Sequence, residues 1–231
     1  MTSDDTDASN PQPVPATPAG RPPRPARAPR RAARDRTEVL KAAIHVIAER
    51  GADATRFQDV AAASGVAVST LQYYFGSRED LLVAAFRHAS ENEIVALQAR
   101  LAADDAADDP WLRLTCIVDA ALRDFPATGD GSGRLWIEAW HFALRDPEMR
   151  SDVLADYAAW RTLISDAVHD GATRGLFPSA PAPDRAAVLL LSLLDGLGMP
   201  LSLDDPAISV EDARESALAA LAALLGYRRQ G

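Results

Sequence analysis

Helical spacing of apolar residues, repeated along most of the chain, is the feature that most restricts the fold. From Thr37 to Leu225 the apolar side chains recur three and four positions apart, and no useful length of sequence alternates apolar and polar residues as a half-buried strand would. Asp109-Pro110 and Asp146-Pro147 each place a side-chain acceptor before a proline, a pattern typical of helix starts. The sequence therefore predicts an all-α fold.

Composition supports a globular protein and argues against several kinds of site. The chain has 231 residues, of which 48% are hydrophobic and 25% charged, so it can bury a sizeable core. Cys116 is the only cysteine, and His45, His88, His141 and His169 stand at no metal-ligand spacing. We therefore expect no internal disulfide, no metal and no cofactor.

Neither a secretory signal nor a membrane span is evident in the sequence. Residues 1–20 contain no apolar core segment, and the longest apolar stretch, Ala186 to Leu194, is much shorter than the roughly 20 residues that cross a bilayer. These features predict a cytoplasmic protein without a membrane partner.

The first 34 residues differ in composition from the rest of the chain. They are rich in proline, which removes backbone donors, and arginine dominates their second half. We expect residues 1–34 to form a disordered tail. An alternative is a basic arm that contacts phosphates or the minor groove of DNA. The net charge of −9 does not exclude DNA binding, because affinity depends on the charges that face the phosphates.

Three short helices then follow in the arrangement of a helix-turn-helix. The pattern predicts helices from about Thr37 to Arg50, from Thr55 to the glycine break, and from about Val68 to Phe75. Thr55 is the expected N-cap of the second helix, with Gln58 completing a capping box. Gly65 lies at the turn, where a positive φ is tolerated best by glycine. Ser77 is the expected cap of a fourth helix.

These residues carry a resemblance to a known family. Thr55–Ala61, Ser64–Val66 and Thr70–Leu82 resemble the N-terminal domain of the TetR family of bacterial transcriptional regulators. The second half resembles the BetI-like branch of that family, through several short motifs: Trp140, Arg145-Asp146-Pro147, Tyr157, Trp160-Arg161, Gly175-Leu176-Phe177 and Asp195-Gly196-Leu197. The resemblance implies a helix-turn-helix DNA-binding domain at 35–80 and a larger helical domain at 81–231 that binds an effector and dimerises.

DNA-binding residues are expected on and around the third helix. The candidates, which offer hydroxyl, amide, phenol, guanidinium and apolar contacts, are Thr55, Arg56, Val68, Ser69, Thr70, Gln72, Tyr73, Tyr74 and Arg78. Gln72 can contact adenine, and Arg78 at a helix start suits a backbone phosphate. Each has a structural alternative; Tyr74, for example, fits the core as well as a phosphate. Ala67 and Gln72 depart from the serine and tyrosine common in the family, so no known operator sequence can be transferred.

Large aromatic residues concentrate in the middle of the chain. With a sensor domain implied by the resemblance, they are candidates for an effector pocket, together with two polar neighbours: Trp111, Phe125, Trp136, Glu138, Trp140, His141, Tyr157 and Trp160. Stacked aromatic rings with an acid would suit an aromatic, apolar or cationic ligand. The alternative is that an aromatic stripe at helical spacing forms the core and that Glu138 faces solvent.

The last two predicted helices, about Asp184 to Leu197 and Val210 to Leu225, are more apolar than solvent-facing helices. We expect them to form a homodimer interface, through Val188, Leu189, Leu191, Leu193, Leu194, Leu197, Leu218, Leu221, Leu224 and Leu225. The function predicted is a ligand-responsive regulator, more often a repressor than an activator, released from a palindromic double-stranded operator by a small molecule. Alternatives are a helical enzyme and a protein-interaction module, although no nucleophile with an adjacent base is evident.

Overall fold

The chain folds into two bundles of helices, and one long helix, Arg78–Leu101, contributes to the cores of both. The computed structural model describes residues 28–103, 106, 108–123, 125 and 132–228. The helices are α1 Ala28–Arg50, α2 Phe57–Ser64, α3 Val68–Phe75, α4 Arg78–Leu101, α5 Pro110–Arg123, α6 Ser132–Ala143, α7 Pro147–Thr173, α8 Pro183–Ser202 and α9 Val210–Leu225. Within these described ranges there is no strand, which confirms the all-α prediction.

Local cap chemistry explains where most helices begin and end. The Ser77 hydroxyl accepts from the Asp80 amide at 3.0 Å, and the Asp146 carboxylate accepts from the Met149 amide at 2.8 Å, as the sequence predicts. Gly65 has φ of +68° after α2 and therefore supplies the left-handed turn expected there. The short helices α2 and α3 consequently form the predicted helix-turn-helix.

Two expectations for the N-terminal helices were wrong. The first helix begins at Ala28 rather than near Thr37, so residues 28–34 of the expected disordered tail are helical. Alanine and arginine, both strong helix formers, make up most of this stretch and allow the helix to extend toward the N-terminus. The N-cap of α2 is Arg56 rather than Thr55, and the Arg56 amide donates to Asp59 Oδ2 at 3.0 Å. Residues 1–27 lie outside the described part of the chain.

The C-terminal bundle packs α5, α7, α8 and α9 around a large core. Helix α8 runs five residues further than predicted and contains Pro200 in its last turns. By length and composition alone α8 could cross a membrane, but 44% of its apolar 18-residue stretch is buried inside the protein. Four of the ten apolar residues expected at a dimer interface, Leu191, Leu194, Leu221 and Leu225, are instead buried within the protomer.

The first hydrophobic core extends beyond the helix-turn-helix. It is built mainly from α1 to α4, but Leu135, Ala139 and Ala143 of α6 and Met149 and Val153 of α7 belong to it as well. The N-terminal bundle therefore completes its interior with residues that come after α5 in the sequence. Helix α6 lies between this core and the C-terminal bundle.

Candidate nucleic-acid interface and ligand pocket

Helix α3 has a buried side that packs into the first core and an exposed polar side, which we call the rim. Leu71 and Phe75 are buried in the first core, and the Phe75 ring lies under the Arg36 guanidinium at 5.1 Å. On the opposite side Ser69 and Gln72 are exposed, and Tyr73 is 85% exposed. The Tyr73 phenol is therefore available to contact a groove or a phosphate.

Other predicted DNA contacts lie around this rim. Arg56 is exposed, whereas Val68, Thr70 and Tyr74 are half-buried. The Tyr74 ring packs edge-on against Phe75 at 6.2 Å and tilted against Tyr73 at 5.9 Å, so it supports both the core and the rim. These residues stay predicted contacts.

Thr55 and Arg78 have structural roles that the sequence did not indicate. The Thr55 side chain is fully buried and donates to the Gly51 carbonyl at 2.8 Å, so it cannot reach a phosphate. Arg78 Nε donates to the Thr55 carbonyl at 2.6 Å, and its Nη2 donates to the Ala52 carbonyl. The Arg78 guanidinium therefore fastens the loop between α1 and α2, rather than standing open as an anion site.

A small aromatic pocket lies in the C-terminal bundle, where α4, α5, α6, α7 and α8 meet. It contains five of the predicted effector residues: Phe125, Trp136, Trp140, Tyr157 and Trp160. Its volume is about 60 Å³. Two larger hollows of about 370 and 340 Å³ adjoin it, and Trp136 lines all three.

Three predicted effector residues lie elsewhere. Trp111 stacks on Tyr227 with ring centroids 4.1 Å apart, near the C-terminus. His141 is exposed. Glu138 Oε2 accepts a hydrogen bond from the Ala52 amide at 2.8 Å, in the DNA-binding bundle. Two positions along a helix amount to about 200°, so Glu138 lies on the side of α6 away from Trp136 and Trp140.

Acidic residues in the pocket were missed by the sequence analysis. Glu93, Asp156 and Asp195 all line it. The Tyr157 hydroxyl donates to Asp195 Oδ2 at 2.7 Å, and the Ser90 hydroxyl donates to Asp156 Oδ1. Asp195 interrupts the apolar run of α8, and that interruption was the signal available in the sequence.

Burial makes the carboxyl groups of Asp156 and Asp195 harder to ionise. Desolvation raises the pKa of Asp156 above its ordinary value, although the hydrogen bond from Ser90 opposes the shift. Desolvation likewise raises the pKa of Asp195, opposed by the hydrogen bond from Tyr157. The Tyr157 pKa is raised by burial first and by Asp195 second. The hydroxyl groups of Tyr157 and Ser90 that donate to the two aspartates carry no charge, so the ionised carboxylates would attract a cation that enters the pocket.

Comparisons with known proteins match both bundles. Residues 39–85 match the family model of bacterial regulatory proteins of the tetR family, and residues 110–226 match that of the BetI-type transcriptional repressor C-terminal domain. The HTH-type transcriptional regulator BetI of Stenotrophomonas maltophilia (strain R551-3) is 31% identical over 183 residues, which are 79% of this chain and 88% of that relative.

Solved structures agree with these matches. A transcriptional regulator from Saccharomonospora viridis in complex with choline is 26% identical, with a TM-score of 0.74, over 83% of this chain and 96% of that one. A TetR-family regulator from Rhodococcus sp. is 27% identical, with a TM-score of 0.69, over 84% of this chain and 99% of that one. The likeness therefore extends over both helical bundles.

Proposed function

This chain belongs to the TetR family of bacterial transcriptional regulators, with a C-terminal domain of the BetI type, and on that premise we propose how it works. It is a ligand-responsive DNA-binding regulator and not an enzyme. We propose that it acts in the cytoplasm, on the chromosome, as a homodimeric repressor. Two copies of α3 read a palindromic operator, and a small molecule in the aromatic pocket releases the protein. The proposed units are residues 35–80 for DNA and 81–231 for effector and dimer, with α4 joining them.

The exposed rim of α3 is the observation that carries the DNA-binding half of the proposal. Gln72 can pair bidentately with an adenine edge, and Tyr73 can reach a phosphate or a thymine methyl group. Arg56 and Ser69 add contacts to the backbone. Thr55 is excluded from this set because its side chain is buried.

A compact organic cation is the proposed effector. The pocket combines aromatic faces, which attract cations through their quadrupole, with the carboxylates of Glu93, Asp156 and Asp195. The choline bound by the Saccharomonospora viridis regulator is a cation of this class. The cavity of about 60 Å³ is much smaller than the roughly 300–1,000 Å³ usual for ligand sites, so the ligand must displace a wall. The ligand then binds the conformation with the displaced wall more tightly than the other conformation. Regulation requires such a difference in affinity.

Operator binding by variants of the rim tests the DNA-binding half. Sequences selected from random DNA provide the operator, and fluorescence anisotropy at fixed salt measures affinity. We expect Gln72→Ala and Tyr73→Ala each to weaken binding about tenfold, because a good base contact contributes about 1–3 kcal/mol. Gln98→Ala is the matched control, since Gln98 is an exposed glutamine on α4 about 30 Å from the start of that helix. Unchanged affinity in both rim variants would contradict the assignment.

A further inference from the structure

The hollow of about 340 Å³ is a cavity of its own beside the aromatic pocket, and it lies between α1, α4, α5 and α6. Glu93 and Trp136 line both cavities, and Trp136 Nε1 donates to Glu93 Oε2 at 3.2 Å, so this pair belongs to the wall between them. The volume falls within the roughly 300–1,000 Å³ usual for small-molecule sites. Unlike the aromatic pocket, this hollow therefore accepts a ligand without displacement of a wall.

One part of the hollow is apolar. Leu97 and Leu135, both almost fully buried, line it together with Ile44 of α1 and the half-buried ring of Trp136. Apolar area that a ligand covers contributes to binding roughly in proportion to its size, and a flat ring also gains by stacking on an indole. This lining therefore favours a ligand with an apolar, preferably aromatic, body.

The remaining part of the hollow carries positive charge from Arg100 of α4 and Arg123 of α5. Arg100 Nη2 is 3.8 Å from Asp119 Oδ2, but Asp119 is engaged more closely by Arg214, whose Nε donates to Oδ1 at 2.6 Å. Among the described residues no carboxylate pairs with the Arg123 guanidinium. Two guanidinium groups thus face the hollow against the single carboxylate of Glu93, which leaves one net positive charge.

We propose that this hollow is a second ligand site, separate from the aromatic pocket, and that it binds an aromatic monocarboxylate. The carboxylate pairs with Arg100 and Arg123, since a guanidinium presents parallel N–H groups that match a carboxylate. The ring lies against Leu97 and Trp136. Asp156 lines the aromatic pocket and not this hollow, so its charge does not face the bound anion directly. The site goes beyond the proposed function and depends on neither the cationic effector nor DNA.

Calorimetric titration of the full-length protein with naphthoate, at fixed ionic strength and without DNA or choline, tests the site. Naphthoate should bind at least about tenfold more tightly than naphthamide, which keeps the ring but has no charge to pair with the guanidinium groups. It should also bind at least about tenfold more tightly than acetate, which has the charge but covers little apolar area.

Substitution of the arginines should weaken binding of naphthoate and leave that of naphthamide unchanged. We expect Arg100→Gln and Arg123→Gln each to cost about fivefold, because both guanidinium groups are partly exposed and their pairing is screened by water. The matched control is Arg134→Gln, at an exposed arginine of α6 outside the lining of the hollow. Circular dichroism of each variant checks that the helices are retained.

A substitution that fills the hollow tests its location independently of charge. Ala96 lines the hollow from an exposed position on α4, so Ala96→Phe should reduce binding of naphthoate about tenfold. Ala99→Phe makes the same change at an exposed position of the same helix outside the lining and should have no effect. Asp156→Asn should leave binding unchanged.

Four results would overturn the proposal. They are no measurable binding of naphthoate, equal binding of naphthoate and naphthamide, binding that survives both arginine substitutions and Ala96→Phe, and tighter binding in Asp156→Asn. The last result would place the anion in the aromatic pocket. Because neither an operator nor a cation is present, these outcomes are distinct from failure of the DNA or effector assignment.

Discussion

At the scale of single residues, Asp156 connects the aromatic pocket to α4. It lines the aromatic pocket, and it accepts a hydrogen bond from Ser90 on α4, the helix that follows the helix-turn-helix. Burial raises its pKa, so the folded protein holds this proton more tightly than the unfolded chain does. Stability from this group is therefore lost as pH rises from the ordinary carboxyl pKa through the raised one.

Neutralising Asp156 should separate ligand binding from folding. Asp156→Asn keeps an acceptor for Ser90 and removes the charge, so we expect cation binding to weaken about tenfold, or about 1.4 kcal/mol. The melting temperature without ligand should hold or rise at neutral pH, because a desolvated charge has been removed. Choline titration by tryptophan fluorescence and calorimetric melting measure the two effects.

The control for Asp156 is Asp166→Asn, on an exposed position of the same helix. It should change neither quantity. In the unmodified protein, choline affinity should increase as pH rises through the raised pKa values of Asp156 and Asp195, because the charged carboxylates attract the cation. Affinity that is independent of pH across the acidic range would argue against a carboxylate contact.

Residue roles were predictable where the chemistry is local. Ser77 and Asp146 cap helices through atoms three positions away, and sequence spacing captures that. Glu138 was assigned to the pocket because it neighbours Trp136 and Trp140 in sequence, but helical geometry turns it to the other side. The burial of Thr55 and the contacts of Arg78 depend on how α1, α2 and α4 pack, which no local pattern encodes.

At the scale of elements, close packing within α7 depends on a glycine. Gly171 is buried, and a Cβ added there would lie 2.0 Å from the Phe177 ring, which returns against the helix after the turn. In an open helix, alanine would be favoured over glycine by about 1 kcal/mol. Here the steric conflict with Phe177 exceeds that gain.

Gly171→Ala is therefore expected to destabilise the protein by about 1–3 kcal/mol, as overpacking usually does. Urea unfolding followed by circular dichroism gives the free energy. Combining it with Phe177→Leu, which removes the ring edge, should recover part of the loss relative to Phe177→Leu alone. A stabilised Gly171→Ala protein would show that the helix and the Phe177 turn separate easily.

At the scale of the whole molecule, large apolar side chains remain exposed on α8 and directly after it once the protomer has folded. Val188 is 42% exposed, Leu189 39%, Met199 43% and Leu203 73%. Four of the residues predicted for the dimer interface are buried in the core, whereas Val188 and Leu189, which were also predicted for it, remain exposed. A two-fold dimer built on these exposed side chains would need to place the two copies of α3 about 34 Å apart to match successive major grooves.

Leu189→Glu should therefore produce a monomer that binds the operator weakly, since one recognition helix then binds alone. Sedimentation velocity measures the assembly state and anisotropy the affinity. Leu144→Glu, at a 75% exposed leucine after α6, introduces the same charge away from α8 and should leave the dimer intact. A dimer that survives Leu189→Glu unchanged would place the interface elsewhere.

The interior of the DNA-binding bundle has a consequence for recombining domains between regulators. Leu135, Ala139 and Met149, from α6 and α7, fill part of that interior. A chimera that joins residues 35–80 to a foreign sensor would lose this filling and expose apolar surface unless matching side chains were grafted with it. Exchange of DNA-binding domains between such regulators should therefore succeed mainly where the two proteins have interchangeable α6 helices.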